Sequence, residues 1–255
     1  MNLEPDLERR FGGIARLYGG AALEKLAHAH VGVIGIGGVG AWAAEGLARS
    51  GVGALTLIDL DHVAESNFNR QIHACDATLG QAKVLAMAER IATFHPTCRV
   101  HCVEDFIEPE NFAQHLPGLD IVIDAIDSTR TKAALIAYCK AQQQTILTLG
   151  GAGGQMDPTQ IRVGDLARTL QDPLLSKVRS RLRKEYGFSR VPGKKFGVPA
   201  IFSLEQQRPS QASCAPHAAP QGLSCAGYGS GVAVTASFGL AAVSQALGIL
   251  LAARP

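Results

Sequence analysis

The chain has 255 residues, of which 47% are hydrophobic and 18% charged, so it can bury a sizeable core and does not have the composition of a disordered segment. Its 24 Lys or Arg nearly balance 22 Asp or Glu, giving a formal charge of +2, and the length predicts one large α/β domain. Six cysteines (Cys75, Cys98, Cys102, Cys139, Cys214, Cys225) include no Cys-x-x-Cys pair; this argues against a zinc site or a dense disulfide framework and predicts mostly buried thiols in a reducing compartment.

The opening "MNLEPDLERRFGG" carries acids and no apolar segment, unlike a secretory signal, so a cytoplasmic location is expected. Residues 1–29 read as a helical arm bearing Arg9, Arg10 and Arg16, too short to fold alone. The run "HVGVIG" (30–35) predicts a strand, residues 39–50 a helix and "ALTLID" (54–59) a second strand, which together make a βαβ unit with a right-handed crossover. Further expected elements are a helix near 80–93, a strand at 98–103, a short helix near 109–116, a strand at 120–126, a helix at 130–143 and a strand at 145–150. This alternation is that of a doubly wound, Rossmann-like, mostly parallel sheet with helices on both faces.

Beyond Gly150 the pattern changes to a C-terminal extension. "GGAGGQMDP" is turn-rich, and the passage from Lys177 to Lys195 holds eight Lys or Arg against one acid. Such a run is either a solvated helix face or a surface that attracts a polyanion such as RNA. Pro192 and Gly193 break it, and residues 203–225 read as a polar loop. From Ala226 to Ala253 there is no charge, long enough to cross a bilayer, but its glycines and serines favour a buried core or dimer helix over a membrane span. The whole is expected to be one domain: arm 1–29, nucleotide-binding core 30–150, and a substrate-binding and dimerising part 151–255.

Gly35, Gly37 and Gly40 satisfy G-x-G-x-x-G between a strand and a helix, with Gly38 inside the turn. Glycines permit the tight turn and close backbone approach, and the helix N-terminus offers N–H groups to an anion. Asp59 ends the second strand, where an acid can bond ribose hydroxyls. To this point a nicotinamide dehydrogenase fits equally well. The next residues favour a nucleoside triphosphate: "DLDHVAESNFNRQ" sets Asp61, Asn67, Asn69, Arg70 and Gln71 directly after the strand, and Lys83 follows on the next helix. Arg70 and Lys83 can neutralise additional phosphates while asparagines hold oxygens in register. Asp127, after "VIDAI", suits a magnesium ligand, because Mg2+ commonly takes one or two carboxylates plus phosphate oxygens.

The runs "GIGGVG", "LIDLDHV", "SNFNRQ", "GQAK" and "DAIDS" resemble the ubiquitin-activating-enzyme-like family, whose members adenylate carboxylates. Within that family, "RFGGIARLYG", "GGAGGQMDPTQIRVGDLART" and "VTASFG" look most like a branch that dehydrates a modified adenosine beside the tRNA anticodon, which extends the resemblance to almost the whole chain. The resemblance implies ATP and Mg2+ as cofactors, tRNA as partner and a homodimer. It assigns Gly37 and its neighbours to the ATP phosphates, Asp59 or Asp61 to the ribose, Asn67 and Arg70 to the triphosphate, Lys83 to the phosphates and Asp127 to magnesium. It also implies an arginine lent by the partner subunit; the usual position, three residues after Arg10, is Gly13 here, which leaves Arg16 or Arg10.

Relatives that load a protein thiol use a cysteine before the C-terminal helix, where Cys214 and Cys225 stand; Cys225, in "LSCAGYGSG", resembles a cysteine of the dehydrating branch and reads at least as well as a buried thiol. A sulfur-transfer partner of the cysteine desulfurase system stays open. Two rival readings remain: adenylation of a Gly-Gly-tailed sulfur carrier, against which the missing zinc pairs and the basic segment count, and a binding module without chemistry, against which Arg70, Lys83 and Asp127 count.

Overall fold

A computed structural model describes residues 6–208 and 228–252. The elements are, in chain order, α1 (Leu7–Tyr18), α2 (Ala22–His28), β1 (His30–Ile34), α3 (Gly40–Arg49), β2 (Ala54–Ile58), α4 (Lys83–Phe94), β3 (Arg99–Val103), α5 (Phe112–His115), β4 (Ile121–Asp124), α6 (Thr129–Ala141), β5 (Ile146–Leu149), β6 (Ile161–Asp165), α7 (Pro173–Glu185), β7 (Pro199–Ser203) and α8 (Val232–Ala252). The described part of the expected helical arm, from residue 6, is two helices: α1 ends at Gly19, whose φ of 99° breaks the helix.

Seven strands form one sheet in the order β3-β2-β1-β4-β5-β7-β6. All neighbours are parallel except β6, which runs antiparallel to β7. The central strands are buried on both faces, as their nearly continuous apolar sequences require. Strand order reverses between β1 and β4, which opens a crevice at their carboxyl ends. The expected doubly wound fold is therefore present. The extension after Gly150 is not separate from it, because β7 pairs with β5 and carries β6 outside it.

Two apolar layers sandwich the sheet. One joins α3, α4 and α8 to Val31, Val33, Leu55, Leu57, Ile123 and Leu147. The other joins α6 and α7 to Ile34, Ile58, Val122, Ile146 and Ala200.

α8 begins at Val232, six residues later than the uncharged run; residues 226, 227 and 253 of that run lie outside the described residues. It is long and apolar enough to cross a membrane by length and composition, yet it packs on α3 through interlocking glycines. A Cβ on Gly239 would lie 2.6 Å from Val39 O and 2.7 Å from Trp42 Cβ, and one on Gly46 would lie 2.7 Å from Val243. Helix backbones approach this closely only where a side chain is absent. The helix is thus a wall of the folded core, in line with the sequence expectation. Cys98, Cys102 and Cys139 are partly or fully buried free thiols and Cys75 is exposed, whereas Cys214 and Cys225 lie outside the described residues.

Candidate nucleotide site

The crevice is built first from the β1–α3 turn. Gly35 adopts φ 88°, and a Cβ there would meet Ala125 O at 3.0 Å, so only glycine lets β1 turn against the end of β4. Gly40 abuts the same turn, with its missing Cβ 1.8 Å from Gly35 O. Gly37 is different: a Cβ would meet no atom of the described residues within 4 Å. Among the described residues no side chain caps the first turn of α3, where the Ala41 N–H donates to Gly37 O at 3.1 Å and the remaining N–H groups can face an anion.

Asp59 fastens the turn from the side. Its Oδ2 accepts the Ile36 N–H at 2.6 Å and its Oδ1 accepts the Asp61 N–H at 2.8 Å. Burial pushes its carboxyl above the ordinary carboxylate range, while the Lys83 charge and those two N–H groups oppose the rise. Lys83 opens α4 with its side chain 7% exposed, and its Nζ reaches Asp61 Oδ2 at 2.7 Å. Because Asp61 is 65% exposed, the ammonium is held at the crevice by a partner that a ligand can displace.

The loop 59–82 supplies the other polar groups, and much of its chemistry is internal. Asn67 is buried and its Oδ1 accepts the Ala64 N–H at 3.1 Å, so it shapes a 3-10 turn. Arg70 lays its stem on the glycine turn, 3.2 Å from where a Gly38 Cβ would be, and donates to Ser66 O and Asn69 Oδ1. The amide of Asn69 donates to Ser230 O at 2.7 Å, and Trp42 Nε1 donates to Arg70 O at 2.9 Å. Among the described residues, buried Gln71 has no hydrogen-bond partner for its Oε1, and buried His73 has none for either ring nitrogen. Burial, then the charges of Lys83 and Arg90, drives the His73 imidazole down to about 4.

Asp127 lies beyond β4, in the loop that leads to α6, three residues after the strand end at Asp124. Among the described residues no group of three His, Cys, Asp or Glu could cage a metal. One carboxylate completed by phosphate oxygens fits the way Mg2+ is ordinarily held. Sequence reasoning passed over what anchors this loop: Asp124 and Lys132 form an ion pair at 2.9 Å with both side chains fully buried, and Thr148 Oγ1 donates to Asp124 Oδ2 at 2.7 Å. The charged pattern "DAIDSTRTK" was the available signal.

Not every expected site residue converges here. Gly35, Gly37, Gly38, Gly40, Asp59, Asp61, Asn67, Asn69, Arg70, Gln71, Lys83 and Asp127 all belong to the turn, the 59–82 loop and helix start, or the loop after β4, at the carboxyl ends of the strands. Arg16 is elsewhere. It lines a cavity of about 700 Å³ with Phe11, Gly51, Gly53, Thr97 and Arg99, at the amino ends of β2 and β3. Arg10 sits on α1 and donates to Phe94 O at 2.8 Å.

A mostly parallel sheet with a glycine turn at its switch point and a buried lysine beside exposed Asp61 makes an α/β protein whose crevice suits a phosphate-bearing nucleotide. The chain belongs to the ThiF family, whose sequence pattern it matches over residues 12–253. It is 52% identical over 252 residues to tRNA threonylcarbamoyladenosine dehydratase of Escherichia coli, covering 96% of this chain and 94% of that one. The Haemophilus influenzae protein of the same name is 50% identical over 248 residues, with the same coverage. A crystal structure of the E. coli protein in complex with ATP superposes with a TM-score of 0.88 at 49% identity, covering 99% of this chain and 98% of that one.

Proposed function

We propose that this chain catalyses the ATP-dependent dehydration of threonylcarbamoyladenosine in tRNA. The observation that carries this reading is the 52% identity along 96% of the chain to a dehydratase of that specificity. The crevice chemistry is consistent with it. A threonyl carboxylate oxygen attacks the α-phosphorus of ATP and pyrophosphate leaves. The ureido group of the same modification then closes on the acyl carbon, loses a proton to solvent and expels AMP, which carries away the carboxylate oxygen. The substrate has lost the elements of water.

On this reading the N–H groups around Gly37 receive phosphate oxygens, and Arg70 and Lys83 offset charge building on phosphorus. Each such contact is worth roughly 3 kcal/mol in the transition state. Asp59 or Asp61 takes the ribose hydroxyls. Asp127 would hold Mg2+, which supplies charge stabilisation to the phosphates when bound. Arg16 lies at the opposite end of the sheet, so it serves an active site only in a second copy of the chain, which makes a homodimer part of the proposal.

The basic segment is partly structural. Arg179 bonds Thr169, Arg181 pairs with Glu185, and Arg183 bonds Ser189 O and covers the Phe196 ring. Lys177, Lys184, Lys194 and Lys195 are exposed, and we assign the tRNA backbone to these. α7 starts beside the end of β5, where Asp172 accepts the Gly151 N–H, and is about 20 Å long.

The test is mass spectrometry of nucleosides from tRNA bearing threonylcarbamoyladenosine after incubation with the protein, ATP and Mg2+. Loss of one water that requires ATP and disappears in Lys83→Ala is expected. No mass change, together with AMP release on adding a Gly-Gly-tailed carrier, overturns the reading in favour of a protein-activating enzyme.

A further inference from the structure

The loop that bears Asp127 is held by a device with no evident role in nucleotide contact. Lys132 and Asp124 are both fully buried, and every hydrogen of the Lys132 ammonium is used. Its Nζ bonds Asp124 Oδ1 at 2.9 Å, Asp124 O at 3.0 Å and Ile126 O at 3.0 Å. Asp124 in turn takes the Ile126 N–H on Oδ1 at 3.2 Å and the Thr148 hydroxyl on Oδ2 at 2.7 Å, which ties the loop to β5. At the far end Ser128 caps α6. The chain from 124 to 132 is thus a closed ring with the lysine side chain through its middle, and Asp127 is the residue bracketed between the last clamped carbonyl and the cap.

The same ring forms a wall of the phosphate turn. Ala125 N donates to Ile34 O at 2.9 Å, and Ala125 O lies 3.0 Å from where a Gly35 Cβ would be. Burying an ion pair is not by itself stabilising, since apolar residues of similar volume often do as well or better. A charged pair whose lysine donors grip two loop carbonyls as well as the acid fixes geometry instead.

We infer that Lys132 is a positioning residue for metal binding: its three-way clamp on Asp124 and the 124–126 backbone fixes the Asp127 carboxylate against the phosphate turn. This rests on the reading of Asp127 as the Mg2+ ligand given above. Groups that orient a ligand from behind commonly govern metal affinity 10- to 100-fold when removed (about that range).

The experiment measures Mn2+ binding by electron paramagnetic resonance in the presence of α,β-methylene-ATP, with thermal unfolding of each protein alongside. The main variant is Lys132→Met with Asp124→Asn, which removes both charges together and leaves no buried ion uncompensated. Thr148→Val loosens Asp124 while keeping the pair, and supplies the reading if the double variant does not fold. Asp127→Asn is the reference. Expected is Mn2+ binding weakened roughly tenfold or more in the folded double variant, by less in Thr148→Val, and at least as strongly in Asp127→Asn. A merely structural clamp would lower the unfolding temperature and leave Mn2+ affinity in the folded protein unchanged. Parental Mn2+ binding in the double variant, or in Thr148→Val where only that variant folds, beside weakened binding in Asp127→Asn, overturns the positioning role alone. Parental binding in Asp127→Asn overturns the ligand assignment and this inference with it.

Discussion

Replacing Gly40 by alanine tests the phosphate turn most directly. The new Cβ would lie 1.8 Å from Gly35 O and 3.3 Å from Ala125 Cβ. A tolerable carbon-to-oxygen contact is about 3.3 Å, so the Gly35 carbonyl must retreat by ~1.5 Å. That carbonyl belongs to the same peptide unit as the Ile36 N–H, whose 2.6 Å bond to Asp59 Oδ2 holds the turn to β2. Movement of one therefore drags the other. Misplacement of about 1 Å at a reacting centre can cost about 100-fold, equivalent to about 2.7 kcal/mol. Calorimetric titration with ATP and Mg2+ should show at least that loss, and thermal unfolding should shift down. Gly37→Ala is the control: its Cβ meets no atom of the described residues within 4 Å, so the unfolding temperature should hold while ATP binding falls. Affinity within threefold of the parent in Gly40→Ala would refute the assignment of this turn to phosphate.

Lys83→Ala should reduce turnover by about 10²- to 10³-fold and also lower the unfolding temperature, because the ammonium is buried and its charge offsets the burial of Asp59; a tenfold or smaller effect in single-turnover assays of the folded protein counts against its role. His73 titrates near 4 when folded and near 6.5 when unfolded, so its contribution is complete above pH 6.5 and drains away as pH falls toward 4. Between pH 7 and 5 that is about 2 kcal/mol, and His73→Leu should flatten the urea-midpoint profile over this interval. Gly239→Ala drives a methyl into Val39 O and Trp42 and should cost about 1–3 kcal/mol by overpacking, read as a lower unfolding temperature; an unchanged value would mean α8 does not seat on α3 as described. Exchanging Lys177, Lys184, Lys194 and Lys195 for alanine should weaken tRNA binding and lower the slope of log affinity against log salt by up to about four contacts' worth, measured by filter binding from 50 to 200 mM salt (about that range).

The central strands were legible because a parallel strand covered on both faces has to be almost purely apolar, as in "ALTLI" and "ILTL". β6 and β7 gave no such signal. "IRVGD" is a half-exposed edge strand that carries charge, and "PAIFS" opens on a proline after a basic loop, so both merged into irregular chain. The glycine turn between β1 and α3 was legible because a tight strand-to-helix turn needs glycine at fixed offsets. Lys132 was not, since a lysine in a first helical turn looks solvated until the fold shows it at 0% exposure. Nor does sequence say which end of a sheet a residue occupies: Arg16 and Gly35 are 19 positions apart and lie at opposite ends of the strands.

The seating of α8 bears on how the chain is made. Residues 30–150 leave the ribosome long before 232–252, yet Phe238, Ala242, Val243 and Ala246 complete the layer that covers Val33, Leu57 and Ile123. Until they arrive, one face of the nascent sheet is bare, and β5 lacks its outer neighbour until β7 is made. The last helix also reaches the nucleotide crevice, where Ser230 receives Asn69 and Thr235 packs 3.3 Å from the Gly38 position. A chain cut short by a late stop codon would keep every glycine of the phosphate turn and still lack the wall that seats Asn69 and closes the Gly38 side. Covering that face of the sheet and walling the Gly38 side of the crevice thus both wait for α8, so a chain lacking it would expose the apolar residues that Phe238, Ala242, Val243 and Ala246 cover.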